Sequence, residues 1–151
     1  MSEQKPAIIA AIDLKPHRME EIALQADALA NGLGMDLRVI HVVDETDFVL
    51  PLTNDMGLGM VELETLETLQ QSAMDSARKD IAERLPGADP SLIEVFVGIP
   101  TEGIKRRAEE LDAQIVVVGQ PRHLFGSVSK HLVRHSPCDV YIVMLEEEKE
   151  D

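Results

Sequence analysis

The residues best suited to chemistry cluster between Gln114 and Val143, where Gly119, Arg122, Gly126, Ser127, Ser129, Lys130, His131, His135 and Cys138 all fall. An apolar, β-branched run, Ile115 to Val118, stops at Gly119, and a short polar loop leads to Gly126-Ser127 at the start of a helix. A second β-branched run, Val140 to Leu145, closes the stretch. Strand, glycine turn, helix and strand make a parallel βαβ unit. The first backbone N–H groups of a helix have no intrahelical partner, and the helix dipole adds a positive field. The turn is therefore a candidate anion site, suited to phosphate.

Three other constellations compete for the same residues. Ser127 and Lys130 form Ser-x-x-Lys, which can pair a nucleophile with its base, but the companion motifs of that chemistry are absent and Ser127 suits an N-cap. His131, His135 and Cys138 have a spacing that places two imidazoles on one helix face near a thiol, as a zinc site would, yet no fourth ligand is evident. A histidine near a helix C-terminus is favoured by the dipole in any case. Glu20-Glu21, Glu109-Glu110 and Glu146 to Glu148 are sequence neighbours, which point apart on a helix and read as solvated surface. Nothing in these pairs specifies an enzyme.

The elements that must position the turn follow in order. Ala7 to Ile12 is continuously apolar, as a strand buried on both faces of a parallel sheet should be, and ends at Asp13. Ile22, Ala26, Leu29, Ala30 and Leu33 repeat at helical spacing, with Gly32 and Gly34 as stop signals. Leu37 to Val43 predicts the second strand. Residues 44–60 form a long connection, expected to be mobile, containing Pro51, Asn54, Gly57 and Gly59. A stripe of Leu63, Leu66, Leu69, Ala73, Ala77, Ile81 and Leu85 predicts a long helix on the sheet, too short in heptads for a coiled coil. Leu92 to Val97 predicts strand three, and Pro100 opens a helix at a position where its missing N–H is harmless. Ile115 to Val118, Val128 to His135 and Val140 to Leu145 complete the alternation, and 146–151 is an acidic, solvated tail.

Five strands alternating with four helices give an α/β, doubly wound parallel sheet with helices on both faces, in one domain spanning 1–151. Ligands bind such sheets beyond the carboxyl ends of the strands, where the strand order reverses. If strands one and four are neighbours, Asp13 and the Gly119 loop share a crevice, and a ribose acceptor faces a phosphate cradle.

Bulk composition narrows the partners. There are 28 acidic and 14 basic residues, a formal charge of −14, so long-range electrostatics repels nucleic acids and anionic membranes. The single cysteine suits a reducing compartment, Met1 to Pro6 lacks a signal peptide's apolar region, and no run approaches the roughly 20 residues needed to span a bilayer. A cytoplasmic protein is expected.

Ordered along the chain, Ala11-Ile12-Asp13, His41-Val42-Val43-Asp44, Gly98-x-Pro100 with Ile104, and Val116-Val117-Val118-Gly119 form a specific series. Gly126-Ser127-Val128-Ser129 and Arg134 to Val140 extend it. Over nearly its whole length the chain resembles a universal stress protein. The resemblance implies the strand order 3-2-1-4-5 and a homodimer built through the last strand, here Val140 to Val143. The ATP-binding branch of the family carries Gly, two residues, Gly, nine residues, then Gly-Ser or Gly-Thr. Gly119 matches the first glycine and Gly126-Ser127 the last pair, but Arg122 replaces the middle glycine and the loop is six residues shorter. Glycine there would let backbone N–H groups approach phosphates without an intervening Cβ; Arg122 blocks that route and offers charge instead.

The resemblance thus implies a binding module for ATP, with Mg²⁺, or AMP. Asp13 accepts from the ribose and Val42 packs near adenine, with Ala11 beside them. Gly119, Arg122, Gly126, Ser127, Val128 and Ser129 surround the phosphates. Hydrolysis would be slow and incidental, since neither a general base nor a Walker lysine is present. Two alternatives stand beside this reading: a dimeric interaction protein of the same fold with an empty crevice, no cofactor and an unidentified protein partner, and a metal- or thiol-dependent enzyme resting on His131, His135 and Cys138.

Overall fold

The computed structural model describes residues 5–14, 18–46, 63–85, 87–121 and 127–146. Nearly all of the connection expected at 44–60, most of the acidic tail, and Arg122 and Gly126 lie outside them.

The described elements are β1 (Ala7–Ala11), α1 (Arg18–Leu33), β2 (Asp36–Asp44), α2 (Leu63–Arg84), β3 (Ile93–Gly98), α3 (Pro100–Glu110), β4 (Ile115–Pro121), α4 (Ser127–His135) and β5 (Asp139–Leu145). A 3₁₀ turn, Pro90–Leu92, precedes β3. The strands form one parallel sheet in the order β3-β2-β1-β4-β5. β1 is central, which explains its unbroken apolar sequence: every residue from Ala7 to Ala11 is buried.

Strand alternation divides the core in two. Ile8, Ala10, Val39, Val95, Val117 and Val143 face α1 and α2. Ile9, Ala11, Ile40, Val42, Val116 and Val118 face α3 and α4. On α1 the buried residues Met19, Ile22, Ala23, Ala26 and Ala30 repeat at the helical period. The helix ends where Gly34 takes φ 67° and Met35 N–H donates back to Ala30 O at 2.9 Å. Glycine adopts that left-handed conformation without steric penalty.

Two expectations require correction. The stripe on α2 is only half covered: Ala77 and Ile81 are buried, whereas Leu69 stands at the surface. Leucine spacing is the same whether or not a sheet lies beneath it. The fourth strand does not stop at Gly119. It continues through Gln120 to Pro121, because β5 extends far enough to pair Gly119 with Val143, Gln120 with Met144 and Pro121 with Leu145.

Arg84, at the end of α2, ties the two helices on one face together. Its Nε and Nη2 donate to Glu20 Oε1 and Oε2 at 2.8 and 3.0 Å, and Nη1 donates to Leu14 O at 2.6 Å. Glu20 raises the guanidinium pKa above its ordinary value, opposed by burial. The pair fixes the backbone directly after Asp13. Arg84→Met is expected to lower unfolding free energy by about 1–2 kcal/mol in urea denaturation, discounted from a buried charged pair because Glu20 remains partly in water.

Candidate functional site

An open crevice of about 1380 Å³ lies at the carboxyl ends of β1, β2 and β4. It is larger than the roughly 300–1000 Å³ of most small-molecule sites, since it continues as a trough along α2. β1 and β4 are indeed neighbours, paired from Ile8 with Ile115 to Ala11 with Val118. Asp13, Gly119, Val128 and Ser129 consequently line one crevice, as the sequence leads one to expect.

Inside it the candidate residues differ in what they offer. Ala11 is buried and forms the end of β1. Val42 is also buried, and its methyl groups lie against α3, where a Cβ at Gly103 would come within 3.0 Å of Cγ2. The Asp13 carboxylate is half-exposed and accepts from Arg18 Nη1 at 3.1 Å. His41 Nδ1 lies 3.1 Å from Ile12 O, which anchors the ring beside the crevice floor. Asp44 Oδ1 accepts from the N–H and hydroxyl of Thr46 at 3.0 and 2.8 Å, a local turn that ends β2.

Two of the residues expected to hold phosphates, Gly119 and Ser129, are built into the fold. Gly119 is a strand residue, and a Cβ there would lie 2.6 Å from Leu145 Cδ1 and 2.7 Å from Ile22 Cδ1. Its lack of a side chain lets α1 and the end of β5 close over β4. Ser129 is buried, and its hydroxyl is hydrogen-bonded to Gln120 Oε1, joining α4 to β4. Ser127 opens α4. Arg122 and Gly126 lie outside the described residues.

Arg18 is not among the residues expected at the site, yet it lines the crevice. A signal for it existed: it is the first residue of α1, the helix end at which acidic side chains are favoured and a cation is not.

The histidine–cysteine cluster does not assemble a metal centre. His131 and His135 pack against each other with ring centroids 4.7 Å apart and the rings tilted by 44°. No group of three or more His, Cys, Asp or Glu able to hold a metal occurs among the described residues. Cys138 lies over Ser136, its Sγ 3.7 Å from the hydroxyl, and burial pushes its pKa up from the ordinary thiol value, against the direction a nucleophile needs. Among the described residues, no helix is long and apolar enough to cross a membrane.

A family model described as the universal stress protein family matches residues 6–144. A relative in Staphylococcus saprophyticus, provisionally named a universal stress protein, is 35% identical over 92 residues, covering 57% of this chain and 50% of its own. The chain spans about half the length of the curated relatives it matches. Among solved structures, the universal stress protein of Archaeoglobus fulgidus in complex with dAMP superposes with a TM-score of 0.52 at 23% identity, covering 91% of this chain and 96% of that one. A universal stress protein in complex with cAMP gives 0.57 at 18% identity, covering 94% and 98%. At these identities the structural likeness speaks for the fold.

Proposed function

The chain belongs to the universal stress protein family, and from that premise we propose that it is a regulatory module whose crevice takes an adenine nucleotide. The observation that carries this reading is the meeting, at the ends of β1 and β4, of a carboxylate, Asp13, with an apolar floor of Ile40, Val42, Ile104 and Val118. An adenine ring suits an apolar bed, and a carboxylate at a strand end can accept from ribose hydroxyls. Asp13 accepts from the ribose, Val42 and Ala11 bound the base, and Val128 closes the far side. The dAMP and cAMP complexes of fold neighbours lend support. When ATP is the ligand, Mg²⁺ accompanies it. The protein works in the cytoplasm by changing its partner surface on occupancy, not by turnover.

We further propose a homodimer through β5, an edge strand whose Tyr141, Ile142 and Met144 are exposed. Apolar edges of this kind are normally covered. A second reading, in which the dimer and its acidic surface do the work with the crevice empty, is favoured by the engagement of Ser129 and Gly119 within the fold.

Calorimetric titration separates the two. AMP at millimolar concentration should bind and raise Tm, and Asp13→Asn should weaken it by about tenfold or more, the loss of one hydrogen bond to a charged acceptor. No heat and no thermal shift with either AMP or ATP would leave only the second reading.

A further inference from the structure

Arg84 reaches three parts of the chain from the end of α2. Its Nη1 donates to the carbonyl oxygen of Leu14 at 2.6 Å, and its Nε and Nη2 hold both carboxylate oxygens of Glu20 in the first turn of α1. Asp80, one helical turn earlier, lies 3.5 Å from Nη1. Leu14 follows Asp13 directly, and Asp13, Leu14, Asp80 and Glu83 all line the crevice. A planar guanidinium fixes the directions of its donors, so Leu14 and Glu20 are held at set positions relative to α2. The grip matters because α2 is only partly held by packing. Of its 22 residues, Ala77 and Ile81 are the buried ones among those described, and both lie in its C-terminal half.

Resting on the nucleotide reading above, we infer that Arg84 is a positioning residue for the crevice: through the Leu14 carbonyl it sets the direction of the Asp13 carboxylate, and it couples occupancy of the crevice to the order of α2. The coupling runs in both directions. A ribose held by Asp13 fixes the chain just beyond β1, and with it the carbonyl to which Arg84 donates. A fixed Arg84 in turn restrains the C-terminal half of α2, whose Ala77, Asp80 and Glu83 form one wall of the same crevice. Arg84 touches no ligand in this scheme. Its part is that Asp13 is already aimed when the nucleotide arrives, so less ordering accompanies binding.

A matched control lies on the opposite face of the sheet. Arg107 of α3 forms the same kind of pair, its Nε donating to Glu94 Oε1 of β3 at 2.9 Å. The Arg84 and Arg107 side chains are equally enclosed, 21% and 22% exposed, but neither Arg107 nor Glu94 lines the crevice.

Calorimetric titration of the full chain with AMP, paired with amide exchange, tests the assignment. Arg84→Met should weaken AMP binding by about fivefold or more, the low end of ordinary coupling between sites. Arg107→Met should keep the wild-type affinity although it too loses an ion pair. Arg84→Lys retains the charge but not the fork, so its affinity should fall between wild type and Arg84→Met, and it carries the test if Arg84→Met does not fold. In the wild type, AMP should slow exchange of the amides from Ala77 to Arg84; in Arg84→Met at saturating AMP that slowing should be lost. Unchanged AMP affinity in Arg84→Met, equal weakening in Arg107→Met, or α2 exchange indifferent to AMP in the wild type each overturns the assignment while nucleotide binding stands. A wild type that does not bind AMP overturns both.

Discussion

Gly119→Ala is expected to lower the unfolding free energy by about 2 kcal/mol, and Gly119→Val by about 3 kcal/mol, the range of overpacked cores. Replacing glycine inside a strand ordinarily gains stability through the unfolded chain, by about 0.5–1 kcal/mol, so the clash must exceed that gain before any loss is seen. It does so because both obstructing methyls, Leu145 Cδ1 at 2.6 Å and Ile22 Cδ1 at 2.7 Å, belong to buried side chains. Ile22→Ala alone should cost about 3 kcal/mol through the cavity it leaves. In that background one of the two obstructions to Gly119→Ala is gone and Leu145 Cδ1 can shift into the vacated space, so the pair should be non-additive by about 1 kcal/mol. Urea denaturation of the four proteins closes the cycle. A Gly119→Ala protein with wild-type stability and lost nucleotide binding would instead assign the glycine to ligand approach.

The second large effect is Leu132→Ala. Only Ser129 and Leu132 are fully buried among the described side chains of α4, a helix of nine residues too short to persist by propensity alone. Leu132 is inaccessible to solvent and sits among Ile9, Val116 and Val118. Its truncation should cost about 3 kcal/mol globally. Amide exchange should show α4 losing protection first, ahead of the central strands. Uniform loss of protection across sheet and helix would show α4 to be an inseparable part of the folding unit.

These two sites also mark how far the sequence could be read. The β-branched runs and their order were legible because a strand covered on both faces has no polar alternation, and β1 is the extreme case. Pro100 and Gly34 announced helix ends through backbone chemistry that is local. The extension of β4 to Pro121 was not legible, since it depends on how far β5, some twenty residues later, runs beside it. The glycine at 119 was readable as special, but not the reason: a phosphate and two methyl groups demand the same missing Cβ. Asp13 was found from its place at a strand end. Arg18 carries a local signal, a cation opening a helix, but its partner, the Asp13 carboxylate, is supplied by the fold.

The central place of β1 carries a consequence for how the molecule is made. One flank of β1 pairs with β2, close behind it in the chain, but the other pairs with β4, which begins at Ile115. A ribosome must therefore emit the chain from β1 through β4 before that second flank can be covered. Until then Ala7 to Ala11, wholly apolar, presents open amides and carbonyls to whatever else is nearby. Nascent chains arrested before residue 115 should be the species that chaperones hold, and those released after residue 145 should escape them.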